Sequence, residues 1–170
     1  VSIVGCCTIT VTAGSDSPIC AGEDLNLNSS YADNNGTVTF LWTTDGAATF
    51  DNNTIQNPVA SGAVDGEEFT VAVTDDYFVL RECESVTVNP LPVVTITSSS
   101  DDFCLDGSRQ LTGTPSGGTF SITGGTGTGS ISLADVLTAS AAGTIEVTYS
   151  YTDDNGCTNT DDQTITVNPL

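Results

Sequence analysis

The chain has 170 residues and sets 22 acidic side chains against two basic ones, Arg81 and Arg109, for a formal net charge of −20 with no histidine. Such a charge repels nucleic acid and anionic membrane surfaces and attracts divalent cations. The lack of His and Lys excludes Ser/His/Asp, Cys/His and lysine-assisted nucleophilic sites, and no stretch is long or apolar enough to span a bilayer.

The opening "VSIVGCC" places Cys6 and Cys7 ahead of a first strand expected over Thr8 to Thr12. Ile3 to Cys6 has the form of a lipoprotein cleavage box, although processing there would remove Val1 to Gly5. Without an initiator Met the chain reads as a processed product or a piece of something larger. Cys20 then precedes an alternating run with Leu25 and Leu27. In "TVTFLWTT" Val38, Phe40 and Trp42 share one face, and in "EFTVAVTD" Phe69, Val71 and Val73 do the same, the period-2 pattern of half-buried strands. Pro90 and Pro92 in "NPLPV" remove two amide donors and favour extended backbone, which makes this stretch a linker.

Beyond it, Cys104 stands in "FCLDGSRQLTG". Strands follow with Phe120 and Ile122 in "TFSIT", with Ile145, Val147, Tyr149 and Tyr151 in "TIEVTYSYTD", and with Ile165 and Val167 in "TITVNP". Only "SLADVLTASA" carries any helical character, one turn at most. The intervening "DNNG", "TDG", "DNN", "VDGEE" and "DDNG" are turns, because Asn and Asp tolerate left-handed backbone and Gly supplies positive φ. "GGTGTGS" lacks the Lys and following helix of a phosphate loop and reads as a flexible hairpin.

The words "VTVNPLP" at Val86 to Pro92 return as "ITVNPL" at Ile165 to Leu170, the signature of a tandem array. The expected organisation is all-β: two β-sandwich modules, 1–91 with an N-terminal extension 1–7, and 92–170, joined end to end by the short Pro-containing linker. The repeat equates Cys20 with Cys104 and Cys83 with Cys157, so the bridges expected are Cys20–Cys83 and Cys104–Cys157, each stapling one end of a sandwich. Free buried thiols are the alternative. The repeat leaves Cys6 and Cys7 without partners, and an intermolecular bridge is their expected use. Disulfides imply an extracellular or cell-surface location. Zinc is disfavoured by the lack of His and of a C-x-x-C pair.

Calcium is the one ion the residues suggest, through oxygen-rich turns containing Asp33, Asp51, Asp75 with Asp76, Asp101 with Asp102, and Asp153 with Asp154. No EF-hand spacing is present, and acidic turns that merely solubilise the surface are the alternative. Asn28, Asn35 and Asn52 lie in glycosylation sequons. A binding role would enlist Trp42, Tyr31 or Tyr77 against a glycan.

The plan "FCLDGSRQLTGTPSGGTFSITG" followed by "GTIEVTYSYTDDNGCTNTDDQTITVNPL" resembles the PKD-like and Ig-like tandem repeats of large Bacteroidota surface proteins, gliding-associated adhesins among them. The likeness covers nearly all of the second module and, more loosely, Pro18 to Pro92. It implies a non-catalytic extracellular stalk, adhesin or filament. Its partners would be further copies or neighbouring repeats stacked head to tail under tension, with surface glycans or proteins as targets. The expected junction between copies is strand addition by the N-terminal segment, locked by Cys6 or Cys7. The alternative is a carbohydrate- or protein-binding module.

Overall fold

The computed structural model describes residues 10–32, 37–75, 79–97 and 102–170. The chain divides into two compact units, Val1–Pro90 and Leu91–Leu170. Cys6 and Cys7 lie outside the described residues, as do Asp33, Asn35, Asp76, Tyr77 and Asp101.

The first unit contains β1 (Thr10–Ser15), β2 (Ile19–Cys20), β3 (Leu25–Ala32), β4 (Thr39–Thr44), β5 (Thr49–Phe50), β6 (Val59–Ser61), β7 (Glu68–Thr74), β8 (Val79–Ser85) and β9 (Val88–Asn89). One sheet runs β1-β3-β6-β5 and another β4-β7-β8, while β2 and β9 form a separate parallel pair. Alternation decides the layering. Leu25 and Leu27 on β3 and Ala60 on β6 meet Trp42 on β4 and Phe69, Val71 and Val73 on β7 in one buried cluster. Side chains from both sheets filling one core make a sandwich, because successive strand residues point to opposite faces and only one face can be buried. The Phe69 ring meets Phe50 edge-on, with centroids 6.0 Å apart.

The second unit contains β10 (Thr95–Thr97), β11 (Asp102–Cys104), β12 (Ser108–Gln110), β13 (Thr112–Thr114), β14 (Thr119–Gly125), β15 (Thr128–Ile131), β16 (Val136–Ala141), β17 (Gly143–Thr152) and β18 (Thr158–Asn168). Its sheets run β11-β18-β17-β14 and β12-β16-β15, with β10 paired to β13. Leu137 and Ala139 of β16 pack with Ile145 and Val147 of β17 and Ile165 and Val167 of β18. Tyr149 is buried as well, its ring 4.5 Å from that of Phe120. The two units share a plan. In each, the first strand of the final long hairpin, β7 or β17, lies between an earlier strand and its hairpin partner, and the last strand closes in parallel on a short N-terminal one.

Two local expectations are corrected and one holds. "SLADVLTASA" forms a single turn, Ser132 to Asp135, with the Asp135 amide donating to the Ser132 carbonyl, and β16 follows. The β-branched Val136 and Thr138 on β16 favour a strand. "GGTGTGS" is no hairpin, because β14 and β15 belong to different sheets. Gly125 crosses at φ 110°, where a Cβ would overlap the Thr144 carbonyl oxygen, and the Gly127 amide donates to that oxygen at 2.7 Å. Ile122 is exposed rather than buried: it stands opposite the buried Val147 on the same face, but β14 is the edge strand of its sheet.

Candidate functional site

The closing strands of the two units match in detail. Cys20 on β2 lies opposite Asn89 of β9, and Cys104 on β11 lies opposite Asn168 of β18. After each cysteine the chain turns identically. The Ala21 amide donates to the Asn89 carbonyl at 2.9 Å and the Glu23 amide to the Cys20 carbonyl at 3.0 Å. The Leu105 amide donates to the Asn168 carbonyl at 2.9 Å and the Gly107 amide to the Cys104 carbonyl at 3.0 Å. One place in the fold therefore carries a cysteine twice.

The chemical states differ. Cys20 and Cys157 are each disulfide-bonded, whereas Cys83 and Cys104 are free and exposed. The bridges Cys20–Cys83 and Cys104–Cys157 are thus not formed, and strand geometry gives the reason. A disulfide needs Cα atoms within about 7 Å. Cys83 lies opposite Thr70 on β8, six residues before the Asn89 that neighbours Cys20, or about 20 Å at 3.3 Å per residue. Cys157 lies eleven residues before Asn168, about 36 Å from the end where Cys104 sits.

The acidic turns use their carboxylates on their own backbone. Asp51 Oδ1 accepts from the Asn52 and Val59 amides, and Asp153 Oδ1 from the Asn155 and Cys157 amides, both at 2.9 Å. Asp102 Oδ2 accepts from Asn168 Nδ2 at 3.4 Å. Asp75 follows β7, and Asp154 is exposed beside Asp153. No three acidic or sulfur groups converge among the described residues.

Of the aromatic residues offered for glycan binding, Trp42 and Tyr31 lie among the described residues and do not form a platform. Trp42 is fully buried, its Nε1–H donating to the Gln56 carbonyl at 3.2 Å, and Tyr31 is half-buried against the first core. On module 2 a shallow depression is lined by Thr123, Glu146, Thr148, Asp162, Gln163 and Thr164. Thr123 and Thr148 share a hydrogen bond at 3.0 Å, and the Thr148 hydroxyl donates to Asp162. That surface is polar and lacks an aromatic ring to stack on a sugar.

Two structural groups were missed by reading the sequence. Glu67 is buried, accepting at Oε1 from the Thr44 hydroxyl and the Ala48 amide and at Oε2 from the Val64 amide. It shares the parity of Phe69, Val71 and Val73, a signal hidden by the turn-like "VDGEE". The Tyr149 hydroxyl donates to the Pro115 carbonyl at 2.6 Å and accepts from the Gly118 amide at 2.8 Å. Gly113 and Gly118 are required there, since a Cβ at either would overlap the Tyr149 ring.

No family model matches the chain, and no curated protein matches it. Among solved structures it is similar to a C-terminal 282-residue fragment of intimin, crystallised with the intimin-binding domain of the translocated intimin receptor. The identity is 12% and the TM-score 0.44 over 95% of this chain and 65% of that one. It is also similar to human protocadherin-24 EC1-2, with 11% identity and TM-score 0.43 over 95% of this chain and 97% of that one. The Yersinia pseudotuberculosis adhesin InvE gives 16% identity and TM-score 0.36 over 92% and 58%. At these values the likeness carries nothing beyond the strand pairing already described.

Proposed function

We propose that the chain is a pair of Ig-like, PKD-like modules from an extracellular adhesive or structural repeat protein of the kind found in Bacteroidota surface adhesins, stacked head to tail and bearing tension without catalysis. The observation that carries this reading is the parallel closure of each module. When a strand near the start of a module pairs in parallel with its last strand, pulling the module by its two ends loads those hydrogen bonds in shear, so several must break together, whereas antiparallel pairs such as β1–β3 and β10–β13 unzip one bond at a time. Module 1 has this arrangement at β2–β9, with Ile19 N–H to Thr87 O at 3.2 Å and Ala21 N–H to Asn89 O at 2.9 Å. Module 2 has it at β11–β18 over Asp102 to Cys104. Disulfide-bonded Cys20 and Cys157 support a location outside the cytosol. The absence of His and Lys leaves no imidazole or amine base to activate a Ser, Thr or Cys nucleophile.

Force spectroscopy on a tandem polyprotein of the chain tests this. With the disulfides reduced, each module is expected to release about 25–30 nm of chain in a single step, given about 3.5 Å per extended residue. Ala21→Pro and Leu105→Pro, which delete the closing amide donors, are expected to lower the peak force of module 1 and module 2 respectively, with Trp42 emission and circular dichroism confirming folded starting material. Unchanged peak forces in both variants would overturn the load-bearing role.

A further inference from the structure

We propose that Cys104 is a junction cysteine, which forms a disulfide with Cys83 of a second copy of the chain and links copies covalently in an open head-to-tail array. This deepens the head-to-tail reading above and rests on it.

Three observations meet at this pair. The first is the internal comparison. Cys20 and Cys104 share one backbone environment, down to the two hydrogen bonds that follow each. Cys20 is disulfide-bonded while Cys104 is free. The bond at Cys20 does not reach Cys83, and the bond at Cys157 does not reach Cys104, so neither joins two described cysteines of one module. The closing-strand position is thus one at which this chain already makes a disulfide.

The second observation is that the thiols left over are complementary in place. One is a closing-strand cysteine of module 2 and the other lies on β8, the edge strand of the β4-β7-β8 sheet in module 1. Joining two different surfaces repeats the same contact from copy to copy and does not close on itself as a two-fold dimer does.

Third, charge favours the same pairing. In a chain of net charge −20, approach between copies is repulsive except near the cations, which are only Arg81 and Arg109. Arg81 and Cys83 are exposed and two residues apart on β8, so they share a face. Asp102 and Asp106 flank Cys104 and are exposed. Pairing Cys83 with Cys104 brings Arg81 to those carboxylates and brings Arg109, whose Nη2 donates to the Asp102 carbonyl beside Cys104, to Glu82 and Glu84, which flank Cys83.

The bond forms by thiol–disulfide exchange with a small-molecule disulfide. The Cys104 thiolate attacks oxidised glutathione and releases one reduced glutathione. The Cys83 thiolate of the next copy then attacks the mixed disulfide, forms the Cys104–Cys83 bond and releases the second. Two protein thiols are oxidised and one glutathione disulfide is reduced.

The test uses the full chain in a glutathione redox buffer, with non-reducing electrophoresis and mass mapping of linked peptides. The wild-type chain is expected to give a ladder of multimers. Cys104→Ser alone and Cys83→Ser alone are each expected to stay monomeric, and their equimolar mixture to give dimers and nothing longer. Arg81→Glu in that mixture is expected to slow dimer formation several-fold at low salt. A wild-type chain left monomeric with both thiols glutathionylated would overturn the proposal, as would dimers of Cys104→Ser alone or linked peptides containing Cys6 or Cys7 in place of Cys83. Sedimentation of the Cys83→Ser/Cys104→Ser double variant separates the two readings. Concentration-dependent association there keeps head-to-tail stacking even if the bond fails, and a strict monomer removes stacking itself.

Discussion

Replacing Glu67 with Ala tests how the first module is held together at its turns. Glu67 is 4% exposed, and its carboxylate accepts from the Ala48 amide at 3.1 Å, the Val64 amide at 3.0 Å and the Thr44 hydroxyl. These donors come from the end of β4, from the segment after it and from the turn before β7, so one side chain ties two connections to one sheet. Truncation leaves the buried Ala48 amide without an acceptor, while the Val64 amide is close enough to solvent to be partly rehydrated. With about 1–3 kcal/mol for a buried donor left unsatisfied, the expected loss is about 3 kcal/mol. For a module of this size that lowers Tm by about 12–24 °C. The assay is urea unfolding followed by emission of Trp42, the chain's only tryptophan and a member of the same core. Glu67→Gln keeps an oxygen for Ala48 and Thr44 but offers nothing to Val64, so it should cost about 1 kcal/mol. Gly46→Ala supplies a cross-check, because a Cβ there would overlap the Glu67 carboxylate. Its cost should largely vanish in the Glu67→Ala background. A Glu67→Ala loss under about 0.5 kcal/mol, or additivity of the two changes within about 0.5 kcal/mol, would refute the reasoning.

Tyr149→Phe should destabilise module 2 by about 1–2 kcal/mol, because the Gly118 amide loses its acceptor and the Pro115 carbonyl its donor. Calorimetry should show that transition move while the Trp42 transition stays, and a coupled shift of both would contradict two separate cores. Gly125→Ala should cost more than about 1 kcal/mol, since it adds a Cβ at φ 110° against the Thr144 carbonyl; an unchanged urea midpoint for module 2 would show that the crossover has room to relax. Trp42 should resist acrylamide quenching, and its emission should not change when oligosaccharides are added, since the ring is fully buried. A saturable emission shift would revive the glycan-binding reading.

The strands that mattered most were legible because one rule governs them. Phe69, Val71 and Val73 are all buried, as are Ile145, Val147 and Tyr149, since a strand with a single core-facing side must alternate. The rule assigns a face and does not guarantee cover. Ile122 keeps the alternation and stands opposite the buried Val147, yet it is exposed, because β14 is the edge strand of its sheet. Glu67 is the opposite case. Its charge argued for solvent, but its parity with Phe69 points it inward, and three donors make that burial tolerable.

Cysteine pairing was misread for a reason the strands make plain. Matching words in two modules equate positions along the chain, but a disulfide depends on distance in space, and in a sandwich the two ends of one strand are as far apart as the module is tall. Cys20 and Cys104 are fixed beside the last residues of β9 and β18 by parallel pairing, a contact between the beginning and the end of a module that no local pattern announces. A cysteine in the final hairpin, at the far end of that last strand, is then out of reach by construction. Cys157 sits where the chain re-enters β18 from its turn, held by the Asp153 carboxylate. The parallel closure that shears under load is therefore also what directs a closing-strand cysteine away from the hairpin cysteine of its own module. A chain with this closure and cysteines at these two positions has to satisfy them with partners beyond the module's own strands, or leave them free.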